Sequence, residues 1–408
     1  MEALKGVRIV DLTVMQLGPV GTRMLADLGA EVVHVENRQT GDMSRGLRYL
    51  SGIPAQLAEG RSLIWELCNI NKKSLAIDLK KQEGRQLLLE LAARADVFVH
   101  NLRPRAINAL GLSYEDVKSV NPEIVYVAGS GYGSRGPERD FPAYDYLGQA
   151  RSGFMTSVGP PDAPPTQTNT GIADQMGGIM LSYAVLLGLL VRSRTGRGQY
   201  LEVSHLGSMM WLQMVAVAAR SILGRELPRL SPDDAASPLW NHYECADGKW
   251  IAFAILQSDR YWPVFCRAIG REDLTEDPRF RDSESRRSNR HELIQTLREI
   301  FRSRPRDEWL ELIRSAPGGN DLPVDRVQTV SDLLSDPQVW ANEYLVEYDH
   351  PFLNRRVVMP GFPLFLSDTP AEPRGAAPEF GQHTEEILQE WLGYQWERIE
   401  QLRQKEVI

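Results

Sequence analysis

Short apolar strands alternate with amphipathic helices through the first 130 residues, and this rhythm leaves the chain few possible folds. Gly6–Thr13 (GVRIVDLT) reads as a strand, Pro19–Leu28 as a helix and Glu31–Glu36 (EVVHVE) as a second strand, which together make a parallel βαβ unit. The pattern repeats with strands at Ser74–Leu79, Val97–His100 and Ile124–Gly129 and helices at Gln82–Arg94 and Ala106–Leu110. The expectation is an α/β fold, an open doubly wound, Rossmann-like parallel sheet with its ligand loops at the carboxyl ends of the strands. The first loop, Met15-Gln16-Leu17-Gly18-Pro19-Val20-Gly21, is not GxGxxG, and Pro19 lacks one of the N–H donors that would cradle a pyrophosphate. Nicotinamide dinucleotides are therefore not expected as ligands.

A length of 408 residues calls for two or three domains. The reading assigns 1–220 to the Rossmann-like domain, 221–335 to a smaller α+β domain, and 336–408 to a return segment that completes the first. Within the middle part, Tyr243–Ala254 reads as a hairpin turning at Asp247-Gly248, followed by helices at Trp262–Ile269, His291–Ser303 and Arg306–Ser315. Between Ser130 and Thr170 the composition shifts to Gly, Pro and Ser, which points to functional loops leading into the next segment.

That segment, Thr170–Ser204, carries the most chemistry. Asp174 precedes Gln175, Met176 and a Gly177-Gly178 pair, and Ile179, Tyr183, Leu186, Leu187 and Leu190 then recur at helical spacing. Arg192 to Gly198 ends the helix, and Tyr200–Ser204 alternates like a strand. Asp174 reads as the N-cap, a position that favours aspartate because its carboxylate accepts orphan backbone N–H groups. Two glycines in the first turns each cost about 1 kcal/mol against alanine, so a substrate or another helix must approach the backbone there.

With 46 basic against 54 acidic side chains and a formal charge of −8, nothing marks a nucleic-acid or anionic-membrane surface. The partner expected is a small molecule. Cys68, Cys245 and Cys266 show no metal-ligand spacing, no metal is called for, and reduced cysteines suit a cytoplasmic protein. The amino terminus lacks a secretory pattern, and no window reaches about 18 uninterrupted apolar residues.

A set of blocks carries a resemblance. GVRIVDLT, Gly18-Pro19, LADLGAEVVHVE, GDMSRG, NKKSLAIDL and ADVFVHN are followed in order by GIADQMGG, RTGRGQYLEVS, YECADGKWIAF, DPQVW and FGQHTEEIL. In this combination the chain resembles the class III CoA-transferase family over nearly its whole length. The resemblance implies an intertwined dimer, identical or mixed in its subunits, that moves CoA from a donor acyl-CoA such as succinyl-CoA to a carboxylic acid. No tightly bound cofactor is implied; coenzyme A and acyl-CoA are substrates.

By the same resemblance Asp174, in G-x-x-D-x-x-G-G, is the nucleophile that passes through an anhydride and an aspartyl-CoA thioester, with Gln16 and Tyr144 as further catalytic residues. CoA contacts fall to Met15, Gln16, Ile77, Lys80, Asn101 and Arg103. Where some members carry arginine for the nucleotide end, this chain has Asn37 and Ala109, so Arg38, Arg103 or Arg105 is expected to take over. The stretch DDAASPLW lacks the glycine-rich loop of formyl-CoA:oxalate enzymes. Trp240, Tyr243 and Phe253 are candidates to line a larger pocket for a branched, aromatic or dicarboxylic acid, and Arg45, Arg48 and Tyr49 are candidates for a second carboxylate or else surface residues.

Two other functions of this fold remain: an α-methylacyl-CoA racemase and a subunit of a hetero-oligomeric transferase. Racemases of this type resemble the chain but place a histidine before an aspartate in the loop ahead of the nucleophile, where this chain has Tyr144 before Asp145. A tyrosine with an ordinary pKa of about 10 is a poor base at neutral pH. His100, His205 and His242 read as structural histidines, and His383 belongs to a block of unassigned role.

Overall fold

Six parallel strands, in the order β5-β2-β1-β6-β7-β8, form the central sheet of a computed structural model that describes residues 2–57, 60–169, 171–371 and 375–408. In chain order the elements are β1 (Arg8–Leu12), α1 (Leu17–Asp27), β2 (Glu31–Asn37), the short pair β3 (Tyr49–Leu50) and β4 (Ile53–Pro54), α2 (Leu63–Asn69), β5 (Lys73–Ile77) and α3 (Gln82–Ala92). Next come β6 (Val97–His100), α4 (Pro104–Ala109), α5 (Tyr114–Val120), β7 (Val125–Ser130), α6 (Asp145–Arg151), α7 (Ile172–Thr195), β8 (Tyr200–Ser204), α8 (His205–Leu212) and α9 (Met214–Ala218). Thr170, which opens the segment singled out above, lies outside the described residues.

Side chains alternate across the sheet with the period of two that strands impose. Val10, Val33, Leu75, Phe98 and Tyr126 face one core, while Ile9, Val32, Val97, Val125 and Val127 face the other. Each face is covered by helices, which is the doubly wound arrangement expected from the alternation.

The chain divides into two units. One comprises Met1–Met155, Gln167–Leu227 and Trp340–Ile408, the other Thr156–Thr166 and Pro228–Val339. The second unit holds an antiparallel sheet of β9 (Trp240–Glu244), β10 (Trp250–Ala254) and β11 (Val324–Val327), with α10 (Ser258–Ala268), α11 (Ser283–Ser288), α12 (Arg290–Phe301), α13 (Arg306–Ser315) and α14 (Val330–Leu333). After α15 (Pro337–Ala341), the hairpin β12 (Leu345–His350) and β13 (Arg355–Pro360), and α16 (Thr384–Leu392) and α17 (Trp396–Gln404), the chain ends against the first unit's sheet, where Ile387, Trp391, Ile399 and Leu402 join the core.

The glycine pair in α7 is explained by a helix rather than a ligand. A Cβ on Gly177 would lie 2.6 Å from Leu17 Cδ1, one on Gly178 2.7 Å from Val20 Cγ1, and one on Gly21 of α1 2.7 Å from the Gly178 carbonyl. α1 and α7 therefore cross backbone to backbone. The buried side of α7 consists of Ala173, Gly177, Gly178, Leu181, Ser182, Ala184, Val185 and Gly188. Ile179, Tyr183, Leu186, Leu187 and Leu190, the apolar stripe read from the sequence, lie on the exposed side. The helix has the length and apolarity of a membrane span, but its small-residue face packs on α1 and β7.

Tyr243 and Phe253 do not line a pocket. Both are buried in the second unit, stacked or tilted against Phe301, and Trp240 alone of that trio is exposed. Alternating strands with aromatic side chains on the inward face form a core by default.

Candidate active site

Five helices begin near the carboxyl ends of β1, β6, β7 and β8. Gln16 is the N-cap of α1, Arg103 of α4, Tyr144 of α6, Gly171 of α7 and Ser204 of α8. A cleft of about 430 Å³ opens there, lined by Met15, Gln16, Asn101, Arg103, Tyr144, Asp174 and His205 among others. The unsatisfied N–H groups at helix starts carry positive partial charge, so this end of the sheet favours an anionic ligand.

Asp174 is not the N-cap of its helix. Gly171 holds that position with φ +64°, a left-handed conformation suited to glycine, and Asp174 lies three residues further on. The capping is done from α6: Asp145 Oδ1 accepts from the backbone N–H of Ala173 at 2.7 Å and of Asp174 at 3.1 Å, while its Oδ2 accepts from Gln149 Nε2 at 2.6 Å. A carboxylate supplied by a neighbour leaves the Asp174 side chain free of the capping task. It turns instead to His205, whose Nε2 lies 2.8 Å from Asp174 Oδ1. No described residue is bonded to Oδ2.

The loop before α1 is fixed by Asn101. Its Oδ1 accepts from Val14 N and its Nδ2 donates to Val14 O, both at 2.8 Å, so the amide that the resemblance assigns to CoA also engages the protein backbone. Beyond it Met15 adopts φ +67°, a conformation that costs a non-glycine residue roughly 1–3 kcal/mol and recurs at functional sites. Gln16 then lies against the start of α7, its Nε2 3.1 Å from where a Cβ on Gly171 would be. Glycine at 171 serves both the φ angle and this approach.

Asp174, Gln16, Tyr144, Met15, Asn101 and Arg103 are thus brought to one cleft, and Ile77 and Lys80 are not. The Ile77 side chain is fully buried at the end of β5, closed to any ligand, with its carbonyl accepting from Arg38 N, and Lys80 is exposed on the following turn. Arg38 lies outside the cleft, its Nε donating to the Ile408 carbonyl at 2.8 Å, whereas Arg103, Arg105 and Arg139 line it; of the arginines expected to meet phosphate, Arg103 and Arg105 are therefore in place. Arg45 is likewise engaged: it grips Glu36 through Nε at 2.7 Å and Nη2 at 2.8 Å and lies over Trp65, so it is a structural residue.

Among the histidines, His383 Nδ1 accepts from Ser74 N at 3.1 Å and stitches the return segment to β5. Burial pushes the His100 imidazole down to about 4, and it accepts from Leu102 N. His242 packs against Trp250 in the second unit. Of these histidines only His205 lines the cleft, bonded to Asp174. Its place directly after β8, whose carboxyl end faces the ligand loops, is the sequence signal for that location.

Comparison with known proteins agrees with this arrangement. The model of CoA-transferase family III matches residues 4–384. The (R)-2-hydroxy-4-methylpentanoate CoA-transferase of Clostridioides difficile is 32% identical over 407 residues, covering 99% of both chains. The succinyl-CoA:glutarate CoA-transferase of Mus musculus is 33% identical over 98% of this chain and 89% of its own. A CaiB/BaiF family protein from Brucella suis has a crystal structure that superposes with a TM-score of 0.81 at 28% identity, over 96% of this chain and 99% of that one. With the doubly wound sheet and the acid-bearing cleft at its carboxyl edge, these matches show that the chain belongs to CoA-transferase family III and is a CoA-transferase.

Proposed function

We propose that the protein transfers CoA from a donor acyl-CoA to a carboxylic acid with Asp174 as the nucleophile. The observation that carries this reading is the Asp174 carboxylate itself, at the start of a 24-residue helix, lining the cleft with Oδ1 held by His205 and Oδ2 bonded to no described residue. Oδ2 attacks the thioester carbon, the C–S bond breaks, and CoA leaves as thiolate with the electron pair. The thiolate then attacks the aspartyl carbonyl of the anhydride, expelling the donor acid and leaving aspartyl-CoA. An acceptor carboxylate runs the two steps backwards, so the thioester's free energy is retained in covalent form. Gln16, beside Gly171, is the side-chain donor available to the acyl carbonyl, and Tyr144 to the substrate carboxylate.

Racemisation needs two groups on opposite faces of a carbon. His205 and Asp174 are instead bonded to one another, and Tyr144 stands where a racemase's histidine is expected. For the acceptor, Met43, Leu102 and Phe141 give the cleft an apolar wall beside Arg103, Arg105 and Arg139. That mixture suits a branched or aromatic acid or a dicarboxylate, classes that include the acids in the two relatives' names. Succinyl-CoA is the first donor to try. Met15, Asn101 and Arg103 are the expected CoA contacts in the cleft, Asn101 through the amide hydrogen and lone pair that Val14 does not use, while Ile77, through its backbone, and Lys80 are expected contacts outside it.

The active form is taken to be an intertwined dimer, identical or mixed, because Ile179, Tyr183, Leu187 and Leu190 of α7 and Met210 and Trp211 of α8 are exposed apolar side chains in the single chain. The three buried, unpaired cysteines suit the cytoplasm. Asp174→Asn is the test of the nucleophile: it is expected to abolish transfer and leave CoA binding intact, and hydroxylamine is expected to inactivate the wild type only when acyl-CoA is present. Residual turnover above about a thousandth of wild type in an uncontaminated preparation would refute the assignment.

A further inference from the structure

The structure leaves one demand of this chemistry unassigned. When thiolate attacks the aspartyl carbonyl, negative charge gathers on Asp174 Oδ1, and a donor must be waiting for it. The backbone N–H groups of Ala173 and Asp174 at the helix start are already given to Asp145. The next donor along, Gln175 N, is bonded to the Gly171 carbonyl within the helix.

We infer that His205 is a catalytic residue of the transfer, the oxyanion donor for Asp174; the inference rests on the reading of Asp174 as nucleophile. Its Nε2 stands 2.8 Å from Oδ1. A carboxylate oxygen only accepts, so Nε2 carries the proton, and this holds whether the ring is neutral or charged. The His205 side chain is 7% exposed, and its Nδ1 is buried without a partner among the described residues. Among the described residues the ring's one hydrogen bond is the one to Asp174.

Packing fixes the ring in that position. Ser204 Oγ accepts from Gly207 N and caps α8, which puts His205 at the first helical residue. A Cβ on Gly148 of α6 would lie 3.0 Å from His205 Cβ and 2.8 Å from Ala173 Cβ, so α6 presses the histidine against α7 through a glycine. A donor held this way needs no reorganisation as charge develops.

The steps balance as follows. In the anhydride, Asp174 Cγ is joined through Oδ2 to the acyl group and doubly bonded to Oδ1. The CoA sulfur forms a bond to Cγ, and the C=Oδ1 π pair moves onto Oδ1, where the His205 N–H meets it. When that pair re-forms the double bond, Cγ–Oδ2 breaks and the donor acid leaves as carboxylate, taking Oδ2 and the electron pair. His205 serves again when the acceptor carboxylate attacks aspartyl-CoA. The first attack on the donor thioester differs, because there the charge grows on the acyl oxygen and not on Oδ1. Loss of His205 therefore slows resolution of the anhydride more than its formation.

The test uses His205→Phe and His205→Gln with the acyl-CoA that the wild type turns over. His205→Phe is expected to lose about a hundredfold to a thousandfold in kcat with KM for acyl-CoA little changed. His205→Gln, whose amide N–H can take the Nε2 place, is expected to stay within about tenfold of wild type. Hydroxylamine trapping supplies a readout that a merely structural role would not move: the wild type yields protein hydroxamate at position 174, whereas His205→Phe shifts the product toward free acyl hydroxamate because the anhydride persists. The inference is overturned if His205→Phe melts like the wild type and keeps its kcat within about tenfold, or traps in the wild-type proportion. Should His205→Phe fail to fold, His205→Asn, too short to reach Oδ1, replaces it with the same expectations. Asp174→Asn run alongside separates the two readings, since trapping or turnover in that variant sinks the nucleophile assignment whatever His205 does.

Discussion

Gly178→Ala tests whether the helix crossing positions the catalytic loop. Two opposing magnitudes meet at this residue. Alanine is about 1 kcal/mol better than glycine in a helix interior, so an unobstructed site would gain stability from the change. Here the added Cβ would lie 2.7 Å from Val20 Cγ1, 2.9 Å from Val20 Cβ and 3.0 Å from the Leu17 carbonyl. Carbon atoms at rest are about 3.5–4.0 Å apart, so α1 must retreat by close to 1 Å, and the carbonyl contact prevents relief by a rotamer change alone. Overpacking of this kind costs about 1–3 kcal/mol, which leaves a net loss between nothing and about 2 kcal/mol. Activity should suffer more. Leu17 follows Gln16 directly, and a displacement of about 1 Å at a positioned group can cost 10²-fold in rate. Urea denaturation and steady-state kinetics on the purified variant measure the two effects. Val20→Ala removes the Cγ1 contact, so Gly178→Ala with Val20→Ala should recover part of both, with a coupling of about 1 kcal/mol. A single variant as stable and as active as wild type, with no coupling in the double, would refute the argument.

Other expectations follow from individual contacts. Asp145→Ala removes the acceptor for two N–H groups at the start of α7, so it should cost about 1–2 kcal/mol by denaturant titration and lower kcat while CoA binding persists. Arg103→Ala and Arg105→Ala should each raise KM for acyl-CoA by about tenfold, and should do so far less for a donor thioester truncated to pantetheine, if they meet phosphate. His34 is buried beside Asp11 and Asp42; burial opposes its charge, but the Asp11 carboxylate, hydrogen-bonded to Nδ1 at 3.0 Å, and the Asp42 carboxylate 3.5 Å from Nε2 outweigh it and raise the imidazole from 6.5 to about 9. A raised folded-state value stabilises the charged form, so the contribution is complete below about pH 6.5 and is lost as pH rises through 9. Thermal melting from pH 6 to 10 should show that decline in the wild type and not in His34→Gln.

The fold was legible because its signal is local. Apolar strands such as Val97–His100 alternate with amphipathic helices such as Gln82–Ala92, and each unit is readable within about a dozen residues. Shorter helices escaped. Leu63–Asn69, Tyr114–Val120 and Asp145–Arg151 are each two turns or less, too short for a helical period to stand out, and the last is embedded in a Gly- and Pro-rich stretch that reads as loop. The apolar stripe of α7 was visible but its direction was not, since Leu181 and Val185 face the core and Leu186 and Leu190 face outward on a helix that is apolar on both sides.

The chemistry of the site depends on which groups are already occupied, and that is a property of pairs distant in sequence. Asp174 looks like an N-cap because aspartate before a helical run usually is one; it is relieved of that task by Asp145, 29 residues earlier, and drawn to His205, 31 residues later. Asn101, a candidate ligand for CoA, also gives one bond from each end of its amide to Val14, 87 residues away. Arg38 and Arg45 look like free cations until Ile408 and Glu36 take them up. In each case the side chain's type is readable from the sequence and its partners are not, because the partners are decided by what folding delivers. The residues left without such partners at the carboxyl edge of the sheet are therefore the informative ones: Asp174 Oδ2, with no bond to any described residue, and the guanidinium groups of Arg103 and Arg105 on the exposed rim. An anionic thioester substrate that met the two arginines with its phosphates and Oδ2 with its carbonyl carbon would find the groups in this cleft that the protein has not already used.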